Sequence, residues 1–203
     1  MVRIKIILFC LCLVFMISFA ACAPNEPILP SQAIERIRMT HGYVLAPTYL
    51  PKGFEFVPLN DSSLQIIETT PLSSRMYIYQ KRVSKDDTAE IVMSYPSYVG
   101  KYSSLEERLG LEAPEDAISE IDINGITAYM FRGSWSVNTL RQIAQGELPD
   151  SPKWDYDGNI SIRFAIDVPD NERVWVTVGT VSPTDEVNDK DLIRIAKSVV
   201  VIE

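Results

Sequence analysis

The sequence predicts an α+β protein with a mostly antiparallel sheet of eight or nine strands, a C-terminal helix packed on one sheet face and a short N-terminal helix. Three observations lead to this fold class: apolar and polar residues alternate in several segments, turn dipeptides separate those segments, and helical periodicity is confined to short stretches. Because strands and helices do not alternate along the chain, parallel crossover units are not expected. A length of 203 residues, 46% of them hydrophobic, is enough for one core.

The alternation is clearest over residues 160–168 and 174–178, which predict two half-buried antiparallel strands around the turn Pro169-Asp170-Asn171. The dipeptides Asn124-Gly125 and Asp157-Gly158 lie between apolar residues and predict two tight hairpins. Further strands are predicted at Phe54 to Leu59, at Leu64 to Thr69, and at Ser74 to Arg82 and Ala89 to Tyr95, with a turn at Lys85-Asp86-Asp87 between the last two.

Three stretches have the spacing of helices. Ser31 is predicted to cap a short helix through Met39. A weaker helical stretch covers residues 137–145. Near the C-terminus, Asn188 or Asp189 is predicted to cap a helix that should close over one sheet face. Its apolar stripe consists of Leu192, Ile195, Ala196 and Val199.

The N-terminus has the layout of a secretory signal. Residues 1–21 contain a basic head and an apolar run of 16 residues, which is shorter than the roughly 20 residues that a membrane-spanning helix needs. The small residues Ala20 and Ala21 before Cys22 resemble the lipobox of bacterial lipoproteins, although Phe19 replaces the usual leucine. That resemblance implies cleavage before Cys22, fatty acylation of its thiol, and anchoring to the cell membrane on the extracytoplasmic side. The alternative is an uncleaved N-terminal anchor.

The remaining cysteines and prolines fit this organisation. Cys10 and Cys12 lie inside the apolar run, so the mature chain would keep only the lipidated Cys22 and form no disulfide. Residues 22–30 combine the lipidated cysteine with a proline-rich tether, and residues 31–203 are predicted to form a single α+β domain.

Three motifs in order resemble a bacterial extracellular domain of unknown function. They are Pro47-Thr48-Tyr49-Leu50-Pro51-Lys52-Gly53-Phe54, Asn124-Gly125-Ile126-Thr127-Ala128, and Trp154 followed by Ile195-Ala196-Lys197-Ser198. That family occurs in lipoproteins and as the outer domain of membrane-bound anti-sigma factors, and the resemblance covers about residues 40–203. It implies no catalytic residues. From the residues alone, Pro51 and Gly53 predict a structural corner before a strand.

A search for reactive groups predicts no catalytic, cofactor-binding or metal-binding residues. His41 is the only histidine and is expected at the end of the first helix, so a serine triad or a zinc site lacks its usual side chains. Nucleotide-binding glycine loops are absent from the sequence. The segment Asp155-Tyr156-Asp157-Gly158-Asn159 resembles half of a calcium loop but is interpreted as a hairpin turn. The carboxylates Glu106, Glu107, Glu112, Glu115 and Asp116 are interpreted as a solvated acidic segment.

The net charge of −8 disfavours nucleic acid as a partner. Aromatic residues are the remaining candidates for ligand contact, although they suit a core equally. They are Tyr77, Tyr79, Tyr95, Tyr98, Tyr102, Trp135, Trp154 and Trp175.

The sequence thus favours a non-enzymatic lipoprotein that is held to the membrane through Cys22 and binds an envelope protein or ligand. Two alternatives stay open. One is a sensory or regulatory module of an anti-sigma-like system, and the other is a lipid or lipoprotein carrier with a cavity between the alternating Ile and Val faces.

Overall fold

The computed structural model describes residues 26–57, 74–96, 111–145, 147–169, 172–180 and 186–203. Within these ranges the chain forms three α-helices, one short 3-10 turn at Glu115–Ala117, and nine strands. The helices are α1 (Ser31–His41), α2 (Val137–Ala144) and α3 (Asp189–Lys197). The strands are β1 (Val44–Pro47), β2 (Glu55–Phe56), β3 (Ser74–Arg82), β4 (Thr88–Pro96), β5 (Ile118–Ile123), β6 (Ile126–Trp135), β7 (Trp154–Val168), β8 (Glu172–Thr180) and β9 (Val199–Ile202).

Seven of these strands form one antiparallel sheet in the order β2-β3-β4-β8-β7-β6-β5, and β1 pairs with β9 in a small second sheet. Alternation places Val174, Val176 and Val178 of β8 on the buried face. Helix α3 covers this face, with Leu192 and Ile195 fully buried. The α+β fold, the antiparallel pairing and the packing of the C-terminal helix are therefore confirmed.

Local signals explain several boundaries. Asn188 caps α3 by accepting hydrogen bonds from the N–H groups of Lys190 and Asp191, and the Asp191 carboxylate accepts one from the Asn188 N–H. Asn124 and Gly125 both have positive φ, 54° and 83°, which is the geometry of a tight hairpin between β5 and β6. Gly53 has φ 90° in the predicted corner, beside the buried Phe54.

The Asp157-Gly158 hairpin prediction is wrong. Strand β7 runs through this dipeptide, but four of its residues, 156–159, stand opposite the single residue Gly133 of β6. Residues before and after the dipeptide both pair with β6, so the chain continues in the same direction. The dipeptide therefore lies in a large bulge and not in a hairpin turn.

Two helix details also differ from the prediction. Ser31 is the first residue of α1 rather than its cap; Pro30 holds the cap position, and no side chain caps the helix. Val199 does not extend α3 but begins β9, where its side chain is buried against the same core. Strands β1 and β9 were not predicted, since each has only four residues and pairs across most of the chain.

Two residues of the predicted tether contact the domain. Leu29 is 8% exposed within the core, and the Ile28 N–H donates to the Pro47 carbonyl at 2.8 Å. Ile28 and Leu29 of the predicted tether therefore pack against the core, whereas Pro30 is exposed. The predicted strand at Leu64 to Thr69 and the signal segment lie outside the described residues.

Candidate functional site

A groove of about 330 Å³ lies on the outer face of the seven-stranded sheet, meaning the face turned away from α3. Strand register places two rows of side chains on this face, because directly paired residues point to the same side. The first row is Met76, Ser94, Thr177, Arg163 and Tyr129. The second row is Ile78, Val92, Gly179, Ser161 and Phe131. We call this depression the sheet groove.

The shape of the sheet groove follows from residue size. Four positions on its central strands carry small side chains or none: Ser94, Thr177, Gly179 and Ser161. Larger apolar residues line it on either side; Met76, on β3, is 43% exposed. A floor of small residues between large ones leaves a trough that a ligand can enter.

Helix α2 and two tryptophans form one end of the sheet groove. The rings of Trp135 and Trp154 meet edge to face with centroids 5.2 Å apart, and Trp154 Nε1 donates to the Arg132 carbonyl at 3.0 Å. Leu140 of α2 also lines this end and is 39% exposed. Ser136 caps α2 by accepting from the Thr139 N–H, which fixes the helix directly after β6.

Glycine at position 133 permits this arrangement. Gly133 has φ +97°, and an added Cβ would lie 2.4 Å from the Asp155 carbonyl oxygen and 2.5 Å from Trp154 Nε1. No side chain larger than hydrogen fits there without moving β7. The bulge in β7 and the tryptophan end of the groove therefore both depend on glycine at position 133.

Arg163 is the only ionisable side chain among the described residues that line the sheet groove. Its guanidinium carbon lies 4.5 Å from the centre of the Phe131 ring, which is the geometry of a cation–π contact. The groove therefore combines apolar and aromatic walls, hydroxyl groups on its floor, and one positive charge. Such a set can bind and orient a ligand; the described lining includes no histidine, cysteine or carboxylate that would act as a base or nucleophile.

The tyrosines singled out by the sequence belong to the core. Tyr77, Tyr79 and Tyr95 point to the buried face, with exposures of 2% or less. The hydroxyls of Tyr77 and Tyr95 lie 2.8 Å apart, whereas that of Tyr79 has no hydrogen-bond partner among the described residues, and burial raises the pKa of Tyr79. Trp175 is half-buried on the outer face, outside the groove lining. Tyr98 and Tyr102 lie outside the described residues.

The polar candidates do not gather at the sheet groove. The Tyr156 hydroxyl donates to Asp116 at 2.9 Å, and this hydrogen bond raises the pKa of Tyr156. Glu112 and Glu115 are exposed. Cys22, Glu106 and Glu107 lie outside the described residues, as does the side chain of His41. The described residues contain no cluster of three or more His, Cys, Asp or Glu side chains arranged for a metal, and none of their helices has the length and hydropathy to cross a membrane.

The sheet groove was not foreseen from the sequence, although a signal was present. Strands β3, β4 and β6 carry apolar residues at both alternating positions, for example Ile78 beside Tyr77 and Phe131 beside Met130. A strand with one solvated face would carry polar residues at those positions. Apolar residues at both alternating positions therefore indicate that the outer face is not simply a solvated surface.

Comparisons with known proteins return no relative: no family model, no curated protein and no solved structure matches the chain. The family resemblance carried by the motifs around Pro47, Asn124 and Ile195 stays a prediction.

Proposed function

We propose that this chain is a non-enzymatic lipoprotein, anchored to the cell membrane through Cys22 on the extracytoplasmic side, whose domain binds an envelope protein or ligand in the sheet groove. The N-terminal pattern supports the anchor. The observation that carries the binding role is the groove itself, because its described lining joins apolar and aromatic walls to a single cation. Ligand sites typically combine these features.

The groove also bears on the carrier alternative. That hypothesis placed a cavity between the alternating Ile and Val faces, but Ile162, Val176 and Val178 pack into the core beneath α3. The sheet groove is on the other face of the sheet. A ligand would therefore lie on the sheet rather than inside the core.

The binding role is tested by photo-crosslinking in intact cells. Met76 and Val83 are each replaced by p-benzoylphenylalanine; they are 43% and 42% exposed, but only Met76 lines the sheet groove, while Val83 lies in the β3–β4 turn. We expect one reproducible envelope adduct, identified by mass spectrometry, from position 76 and none from position 83. Equal labelling at both positions, or none at either, contradicts the binding role.

The anchor is tested separately by intact mass. Protein extracted from membranes should begin at Cys22 and carry acyl mass, and Cys22→Ser should abolish that mass and release the domain from the membrane fraction. Membrane protein that retains Met1 and has no acyl mass would contradict the anchor and favour the uncleaved alternative.

A further inference from the structure

We propose that the ligand of the sheet groove is an aliphatic chain with one carboxylate, its carboxylate at Arg163 and its chain directed toward the tryptophan end beside α2. This inference rests on the proposed function, since it names the chemical class bound at the same groove.

The positive charge of Arg163 favours an anionic head group on the ligand. The protein has a net charge of −8, yet the one ionisable residue among the described groove-lining residues is the cation Arg163. Apolar neighbours lower the local dielectric, so this charge attracts an anion more strongly than a surface cation would. Arg163 also has another interaction within the protein. A guanidinium carries five N–H donors and can hold an internal partner and a carboxylate together.

The register of β6 and β7 gives the direction and length of the ligand's aliphatic chain. Arg163 pairs with Tyr129 and extends over Phe131, whereas Trp135 lies four residues further along β6 beside Leu140. Four residues of strand span about 14 Å. An anion at Phe131 and an apolar tail at the tryptophans therefore require a ligand of about that length, and a volume of about 330 Å³ is at the small end of ligand sites.

The walls favour an aliphatic chain over a peptide. A bound peptide presents an N–H and a carbonyl at each residue, and each needs a hydrogen-bond partner when it leaves water. The walls at Met76, Val92, Phe131 and Leu140 offer none from their side chains, so that the hydroxyls on the floor, at Ser94, Ser161 and Thr177, would have to serve every backbone group of the peptide. Methylene groups need no such partners and are stabilised when they leave water.

Binding is measured by equilibrium dialysis with monomeric dodecanoate and with dodecyltrimethylammonium, which has the same chain and the opposite charge. We expect saturable 1:1 binding of dodecanoate by the wild-type protein and at least tenfold weaker binding of the cation. Arg163→Gln should weaken dodecanoate binding at least tenfold. Arg173→Gln is the matched control, because Arg173 also lies on the outer face of the sheet, on β8, but pairs with Asp167 outside the groove lining.

The direction of the chain is measured by bromine quenching of tryptophan fluorescence in a Trp175→Phe background. Bromine at carbon 12 should quench Trp135 and Trp154 more strongly than bromine at carbon 2. The reverse order would overturn the proposed direction. This experiment and the ligand charge reversal use unmodified Arg163, so they remain decisive if Arg163→Gln does not fold.

Two results would overturn the ligand class: dodecyltrimethylammonium binding as tightly as dodecanoate, or Arg173→Gln weakening dodecanoate as much as Arg163→Gln. Absence of saturable dodecanoate binding would also overturn it. If position 76 still crosslinks an envelope component in that case, the ligand class is wrong while the proposed function stands. If position 76 gives no adduct either, both fail.

Discussion

The hydroxyls of Tyr77 and Tyr95 share a hydrogen bond of 2.8 Å in the core, and the Tyr95 oxygen also accepts from the Leu45 N–H at 3.4 Å. Leu45 belongs to the small β1–β9 sheet, whereas the two tyrosines belong to neighbouring strands of the large sheet. Tyr95 therefore connects the two sheets through buried polar groups, which cost free energy when they lose a partner.

Tyr95→Phe should lower the free energy of unfolding by about 1–3 kcal/mol, because the Leu45 N–H and the Tyr77 hydroxyl each lose a buried hydrogen bond. Tyr79→Phe is the matched control. It removes a buried hydroxyl that finds no hydrogen-bond partner in the described part of the chain, so the stability of this variant should equal or exceed that of the wild type. Urea unfolding measures both. A larger loss for Tyr79→Phe than for Tyr95→Phe would contradict this assignment.

Burial of Tyr79 also predicts a dependence on alkaline pH. Burial raises the pKa of Tyr79 above its ordinary 10.0, so the folded protein keeps the proton while the unfolded chain loses it. The unfolded state then binds fewer protons, and stability falls as the pH rises above 10. The difference in free energy of unfolding between the wild type and Tyr79→Phe should be constant from pH 7 to 9. From pH 9 to 11 the wild type should lose stability relative to the variant. Parallel curves over the upper interval would refute this.

Gly133→Ala should destabilise the protein by about 3 kcal/mol or more, since the new Cβ adds a clash with β7 to the strain of positive φ. Gly125→Ala is the control: it has φ +83° but nothing within 4 Å of the added Cβ, so strain alone should cost about 1–2 kcal/mol. Thermal unfolding compares them. Trp154 fluorescence should change in Gly133→Ala but not in Gly125→Ala, because of the two added Cβ atoms only the one at position 133 would meet the Trp154 ring.

Asn188→Ala should cost about 1 kcal/mol, because α3 loses the side-chain cap on its first turn. The same substitution at Asn138, which is exposed on α2, should be neutral within about 0.5 kcal/mol. Chemical denaturation of both variants tests the difference. Equal losses would show that the capping box is not what stabilises α3.

The core face and the C-terminal helix were predictable because they depend on residues close in sequence. Alternation over residues 160–168 and 174–178 identifies two strands, and Asn188 with Asp191 identifies the start of α3. The Asp157-Gly158 error has a different origin. The same dipeptide suits a hairpin or a bulge, and pairing with β6 and β8 on either side selected the bulge.

By itself, the sequence determined the α+β class, the antiparallel strands and the structural corner at Gly53, since these follow from local spacing and residue type. The tertiary structure decided what requires distant segments to meet. In the folded protein β1 pairs with β9, and Val199 belongs to a strand and not to a helix. Arg163 lies over Phe131, between Met76 and Trp135. The sheet groove depends on register across five strands, and a single-residue shift would turn its side chains to the opposite face.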